Sequence, residues 1–374
     1  MNKTRAVVII IIVVIVAAAA HHQRSVRRQR LRDAIGMMAA NRNSENGGDA
    51  SSAQPAAPVP AAASEACKPN AVGYQILTIK DRPVALWYPT TAPPIPFFYS
   101  ANFSGDVALN APPSMPCGKQ VPLVVFSHGD AGCGLQSAAF TQELARHGYV
   151  VAAPDHADAA LCHTAEPAGP RSPRPRQLNF FKPETWNENS FTDRRDDIEA
   201  VISEVLANRE LQPIIEPQNI GAAGHSLGGY TVVGMAGGWP SWREPRIRAV
   251  LALSPDVMPF QVKKTLGDVR VPLMYQGGTL DVGITPFLKG PNGAYAQANP
   301  PAYFAILKEA AHLAWANCGK EDTTESCVRE NPNARLIVEY GVAFFDRYLK
   351  NIPEPVLEQE NPALAEYEFK LAER

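Results

Sequence analysis

Several large functional classes are excluded by what this sequence lacks. Its 374 residues contain six cysteines and no Cys-x-x-Cys pair, which removes the common zinc-ribbon and thiol-redox arrangements. The eight histidines show no metal-ligand spacing. His156 with Asp155 or Asp158, and His163, form the nearest grouping, so neither a metal nor any other cofactor is expected. An excess of positive charge is missing from the body. Residues 1–42 hold eight Lys or Arg against Asp33 alone, leaving 27 basic and 36 acidic residues beyond them. An acidic body offers phosphate backbones no general attraction, which argues against a nucleic-acid partner. No apolar run reaches the roughly 20 residues that span a hydrocarbon core. No internal repeat is apparent.

The longest apolar run, residues 6–20, follows Lys3 and Arg5 and ends in four alanines, the plan of a secretory signal. Arg24, Arg27, Arg28, Arg30 and Arg32 come next, a cluster that the positive-inside bias keeps in the cytoplasm. Export is the expectation, periplasmic or secreted, with membrane anchoring through residues 1–20 as the alternative. Residues 21–66 are basic and then Ala/Pro/Ser-rich, a composition that cannot bury enough apolar surface to offset chain entropy, and read as a linker. The even cysteine count fits an oxidising compartment. Cys318 and Cys327 flank an eight-residue polar loop and are expected to pair, while the pairing of Cys67, Cys117, Cys133 and Cys162 stays open.

From residue 67 to 374 one domain is expected. YQILTI and VALWY read as an opening hairpin, and residues 89–120 as a long proline-rich connection. From Val121 the chain alternates strand and helix signals: VPLVVFS, YVVAAPD, NIGAAG, IRAVLALS, VPLMYQG and AYFAILK as strands, with helical periodicity between them. Ile198, Val201, Ile202, Val205 and Leu206 mark one amphipathic helix. The last helix covers 334–349 and leaves an acidic tail. The pattern predicts an α/β fold, a mostly parallel sheet of about eight strands with helices on both faces. The short segment between Ser254 and Val269 leaves no room for a large lid.

Gly224-His225-Ser226-Leu227-Gly228 is a G-x-S-x-G motif, which roughly one chain in ten of this length carries by composition alone. Its context is more specific: an apolar strand enters it and a helix-compatible segment leaves it, as a nucleophile elbow requires. A serine hydroxyl is almost un-ionised at neutral pH and needs a base within hydrogen-bond reach. His312 is the single histidine beyond Ser226, and it follows the last predicted strand. For the acid that orients it, Asp281 follows strand VPLMYQG and is the stronger candidate; Asp256, after AVLALS, is the rival. Two N–H donors must hold the oxyanion, assigned to the backbones of Leu227 and of Asp130 in Ser127-His128-Gly129-Asp130. His128 reads as a structural hydrogen-bonding residue. Arg171, Arg174, Arg176 and Lys182 read as solvated loop charges.

VVFSHGDAG, ELARHGYVVAAPDHAD, FTDRRDDIEAVI, IGAAGHSLGGYT, VPLMYQGGTLD and EAAHLAW, spread over residues 121–316, resemble in order the platelet-activating-factor acetylhydrolase-like and predicted dienelactone hydrolase branch of the α/β-hydrolases, with bacterial polyester hydrolases nearby. The resemblance implies the α/β-hydrolase fold and hydrolysis of a small-molecule, lipid or polymer ester. Dienelactone hydrolases themselves use cysteine, so Ser226 argues against that activity. Acetylhydrolase relatives can carry the acid after the earlier strand, which keeps Asp256 in play. A serine carboxylic-ester hydrolase acting through an acyl-enzyme on small to medium acyl esters is the expectation; amidase or peptidase action with the same residues, or a silent binding scaffold, are its rivals. The cleft is expected between loops 157–190 and 283–300, with Trp186, Phe287 and Tyr295 lining it.

Overall fold

In a computed structural model, which describes residues 71–160, 180, 182–319 and 322–372, the apolar run VPLVVFS forms strand β5 (Val121–Ser127) with every residue buried. A strand buried at every position is what a parallel sheet covered on both faces demands. Four more strands continue it, buried throughout except at Arg248: β6 (Val150–Pro154), β8 (Ile247–Leu253), β9 (Leu273–Gly278) and β10 (Ala302–Leu307). Strand β7 (Ile215–His225) lies between β5 and β8 and becomes fully buried from Ile220 onward.

Helices cover the two faces. On one, Ile198, Val201 and Ile202 of α2 (Thr192–Ala207) and Tyr230 and Val232 of α3 (Leu227–Val233) join the core. On the other, Phe140 and Leu144 of α1 (Ala138–Arg146) pack with Phe344 and Phe345 of the last helix, which spans Pro332–Leu349. Parallel register aligns the strand ends: Gly224 pairs with Ala252, Leu253 with Gln276, and Gly278 with Leu307. The loops after β7, β8, β9 and β10 therefore emerge at one rim.

The sheet has 12 strands rather than about eight. β1 (Ala71–Ile79) and β2 (Arg82–Thr90) form the expected hairpin. The region read as a proline-rich connection instead contains β3 (Ile95–Ser100) and β4 (Phe103–Leu109). Aromatic anchoring outweighs the prolines: Tyr99, Phe103 and Val107 are buried, and the Tyr99 hydroxyl accepts from Trp87 Nε1–H (2.9 Å) and donates to Gln142 Oε1 (2.7 Å). Pro96 is tolerated because β3 pairs only with β4 and sits at an edge. The two-residue β11 (Asp322–Thr323) pairs with β4. The acidic tail is likewise partly a strand, β12 (Leu364–Lys370), antiparallel to β10.

Between β8 and β9 the chain makes only the short helix α4 (Met258–Lys263) and a single turn, so no large lid stands there. Among the described residues no helix is long and apolar enough to cross a membrane. Cys318 and Cys327 form the expected disulfide, with Cα atoms 5.6 Å apart. Cys117 and Cys133 each take part in a disulfide as well. The expectations for residues 1–66, and those for Cys67, Cys162, His163, Arg171, Arg174 and Arg176, lie outside the described residues.

Candidate active site

The G-x-S-x-G segment ends β7 in a tight turn and starts α3, with Ser226 at the hinge in a φ 55°, ψ −117° conformation. A side-chain-bearing residue held there costs about 1–3 kcal/mol and persists only where its surroundings fix it. Here the Ser226 N–H donates to Leu253 O, and the Ser226 carbonyl accepts from the N–H groups of Tyr230 and Asp256. The glycines serve close approach. A Cβ on Gly228 would sit 1.9 Å from the Ser127 carbonyl oxygen, so only glycine lets the elbow pack against the loop after β5.

His312 opens a short turn after β10 and brings Nε2 to 2.9 Å from Ser226 Oγ. Its Nδ1 lies 3.0 Å from Asp281 Oδ2. These partners assign the tautomer: Nδ1–H donates to the carboxylate, and Nε2 is left to accept from the serine hydroxyl. The structure thus joins Ser226, His312 and Asp281 in one hydrogen-bonded chain at the rim. The Asp281 side chain is 3% exposed and the imidazole 38% exposed, so the carboxylate is shielded while the ring faces the cleft.

Asp256 borders the same cleft, but its carboxylate accepts from the Met258 N–H, and Oδ1 is buried without a hydrogen-bond partner. Burial pushes its pKa from 3.8 to about 6, opposed by the Met258 N–H. A carboxyl raised in the folded state favours the protonated form there, so its stabilising effect is present at low pH and is lost as pH rises through about 6. Asp256→Asn is therefore expected to be more stable than the parent above pH 7, by on the order of 2 kcal/mol, with the advantage fading below pH 4. Chemical denaturation at pH 4 and pH 8 measures the difference.

Two residues that sequence reasoning passed over steady the imidazole. Ser254, fully buried at the end of β8, donates its hydroxyl to Asp281 Oδ2 and lies 3.0 Å from His312 Nδ1, so that N–H is shared between carboxylate and hydroxyl. The sequence signal was its place as the polar residue that ends the predicted strand IRAVLALS. His225 is held between the Gln136 side-chain amide, which donates to Nδ1 (2.7 Å), and the His312 carbonyl, which accepts from Nε2–H (2.8 Å). Burial first, and then the nearby His312, lower the His225 pKa to about 3, so the ring stays neutral and ties the His312 turn to the elbow.

The cleft is a cavity of about 1120 Å³. Gly129, Asp130, Ser226 and His312 border it on one side, and Phe180, Met258, Ile284 and Phe287 supply apolar wall. Leu280, Val282 and Leu313 form an exposed apolar rim, Val282 and Leu313 at 80% and 70%. Both expected loops contribute, through Phe180 and Pro183 and through Gly283, Ile284 and Phe287. Phe287 lines the cavity as expected from the sequence, but Trp186 and Tyr295 do not. Trp186 is fully buried among Phe180, Phe191 and Tyr230, because the largest apolar side chain in its loop gains most from the core. Tyr295 stacks on Phe304 and lies under Lys370 Nζ, 4.4 Å from the ring centre. His156 is not placed for metal binding: its Nε2 accepts from Ser127 Oγ–H and its Nδ1–H donates to Asp197. Among the described residues no group of three His, Cys, Asp or Glu is positioned to hold a metal ion.

Comparison with known proteins agrees with this architecture. A solved ferulic acid esterase from Streptomyces cinnamoneus superimposes with a TM-score of 0.55 at 18% identity, covering 83% of this chain and 98% of that one. The fold is that of the α/β-hydrolases. Residues 98–211 match the family model for platelet-activating factor acetylhydrolase, isoform II. The Cavia porcellus platelet-activating factor acetylhydrolase is 29% identical over 164 residues, 38% of this chain and 36% of the relative. The chain thus spans about a third of the length of that curated relative. The family match contains the loop after β5 and all of α2, and ends before Ser226.

Proposed function

We propose that this α/β-hydrolase is a serine carboxylic-ester hydrolase that works through an acyl-enzyme. The observation that carries the reading is the 2.9 Å contact between Ser226 Oγ and His312 Nε2, at a strained elbow open to a mainly apolar cavity. His312 takes the serine proton as Oγ attacks the ester carbonyl, and Asp281 stabilises the imidazolium through Nδ1–H. The backbone N–H groups of Leu227 and Asp130 hold the tetrahedral oxyanion. His312 then protonates the leaving alcohol, and water repeats the sequence on the acyl-enzyme. No metal or organic cofactor enters these steps.

The substrate side follows from the lining. Among the described residues the wall carries Asp130, Asp256 and Asp281 but neither Lys nor Arg, which suits neutral acyl esters over anionic ones. The volume accommodates small to medium acyl groups, from a free ester, a lipid or a polyester chain end. A location outside the cytoplasm belongs to the same reading, supported by the Cys318–Cys327 disulfide. The test is a p-nitrophenyl ester series of increasing acyl length beside p-nitroanilides with the same acyl groups. Ester turnover far above anilide turnover is expected; comparable rates on both would make the chain an amidase, and no turnover of either would favour a binding scaffold.

A further inference from the structure

We infer that Arg194 is the positioning residue that forms the oxyanion hole, by holding two consecutive loop carbonyls so that the Asp130 N–H faces the cavity. The inference rests on the hydrolase reading and concerns a side chain that does not touch the substrate. Arg194 lies in the first turn of α2 and is fully buried. Its Nη1 donates to the His128 carbonyl (2.6 Å) and its Nη2 to the Gly129 carbonyl (3.1 Å). The Gly129 carbonyl also accepts from His128 Nδ1–H at 2.7 Å, while His128 Nε2 accepts from the His156 N–H. The Gly132 N–H also donates to the Gly129 carbonyl at 3.1 Å, closing the local turn, so that carbonyl is fixed by three donors, two of them buried side chains.

A trans peptide is planar, with its C=O and the following N–H pointing to opposite sides. Turning the Gly129 carbonyl inward therefore turns the Asp130 N–H outward, toward the side where Gly129 and Asp130 border the cavity. The loop is held on either side, since the Gly129 N–H donates to Gln136 Oε1 and the Ala131 N–H to Asp158 Oδ2. Asp158 closes the arrangement, because the same oxygen pairs with Arg194 Nη2 at 2.6 Å. Burial opposes the Asp158 charge, and Arg194 overcomes it, holding the carboxyl below the ordinary range.

As a stability device this pair is poor. Arg194 Nε and Asp158 Oδ1 are buried without hydrogen-bond partners, and a buried ion pair rarely outperforms apolar side chains of the same volume. As a geometric device it is well matched, since a guanidinium fork can hold two carbonyls at once and a lysine ammonium holds them without that fixed plane.

The experiment compares Arg194→Lys and Asp158→Asn with the parent in the full chain, measuring kcat, KM and inhibition by a trifluoromethyl ketone whose adduct places an oxyanion in the hole. Arg194→Lys is expected to lower kcat roughly 10- to 100-fold, leave KM within about threefold, and weaken the ketone by the same factor as kcat/KM. Asp158→Asn should move all three in the same direction by less. Folded variants with unchanged kcat and unchanged ketone affinity would overturn the inference, as would a kcat loss without any loss of ketone affinity. Should Arg194→Lys fail to fold, an Asp158→Asn variant with unaltered kinetics would assign Arg194 to folding alone and reject the inference. A parent that neither turns over esters nor reacts with a fluorophosphonate would instead defeat the hydrolase reading, and this inference with it.

Discussion

Replacing Asp281 by asparagine is expected to lower kcat about 10⁴-fold with the fold intact, whereas Asp256→Asn should cost far less. The difference follows from which proton each carboxylate controls. Asp281 Oδ2 accepts from His312 Nδ1–H at 3.0 Å, which leaves Nε2 unprotonated and able to receive the Ser226 proton. An asparagine amide can offer N–H to Nδ1 and stabilise the opposite tautomer, whose Nε2–H cannot act as a base toward serine. Ser254 limits the damage, because its hydroxyl remains beside Nδ1 as a weak acceptor. Asp256 controls no proton of the imidazole; it accepts from the Met258 N–H. Steady-state rates of both variants on one activated ester check the assignment, and a larger loss in Asp256→Asn would transfer the acid's role to the earlier strand.

How much of this was legible in the sequence depended on whether the signal was local. Ser226 announces itself by glycines that a close backbone approach requires, and His312 by being the single histidine after it. Asp281 follows a strand whose apolar run is plain, and parallel register then brings the three strand ends to one rim. Strands β3, β4 and β12 were less visible because edge strands are half solvated and carry the prolines and charges that mark loops elsewhere. Aromatic residues near the cleft were ambiguous for another reason: composition does not say which way a ring points, and Trp186 turned to the core while Phe180 lines the cavity.

Arg194 is an instructive omission. The apolar stripe Ile198, Val201, Val205, extended back one helical turn, lands on position 194, so an arginine sits on the buried face of α2. A charge on the buried side of an amphipathic helix needs partners within the fold. Those partners are the carbonyls of the loop after β5 and Asp158, so the functional content lay in a departure from the pattern rather than in the pattern itself.

Ser226→Ala and His312→Ala are each expected to reduce kcat by roughly 10⁵- to 10⁶-fold, and the double variant to be no slower than either alone. The hydroxyl and the imidazole form one device: without the base, Oγ keeps its proton, and without Oγ, the base has no nucleophile to activate. Residual turnover in all three should be similar, because the backbone donors at Leu227 and Asp130 and the apolar cavity remain. Fluorophosphonate labelling separates the two single variants, since Ser226→Ala removes the atom that is labelled while His312→Ala only slows the labelling. The His225 tether adds a control: its Nε2–H holds the His312 carbonyl, so the turn keeps its place when the imidazole is removed. If the double variant lost activity as the product of the two single losses, the residues would act independently, and a proton transfer between Ser226 and His312 would no longer explain the reaction.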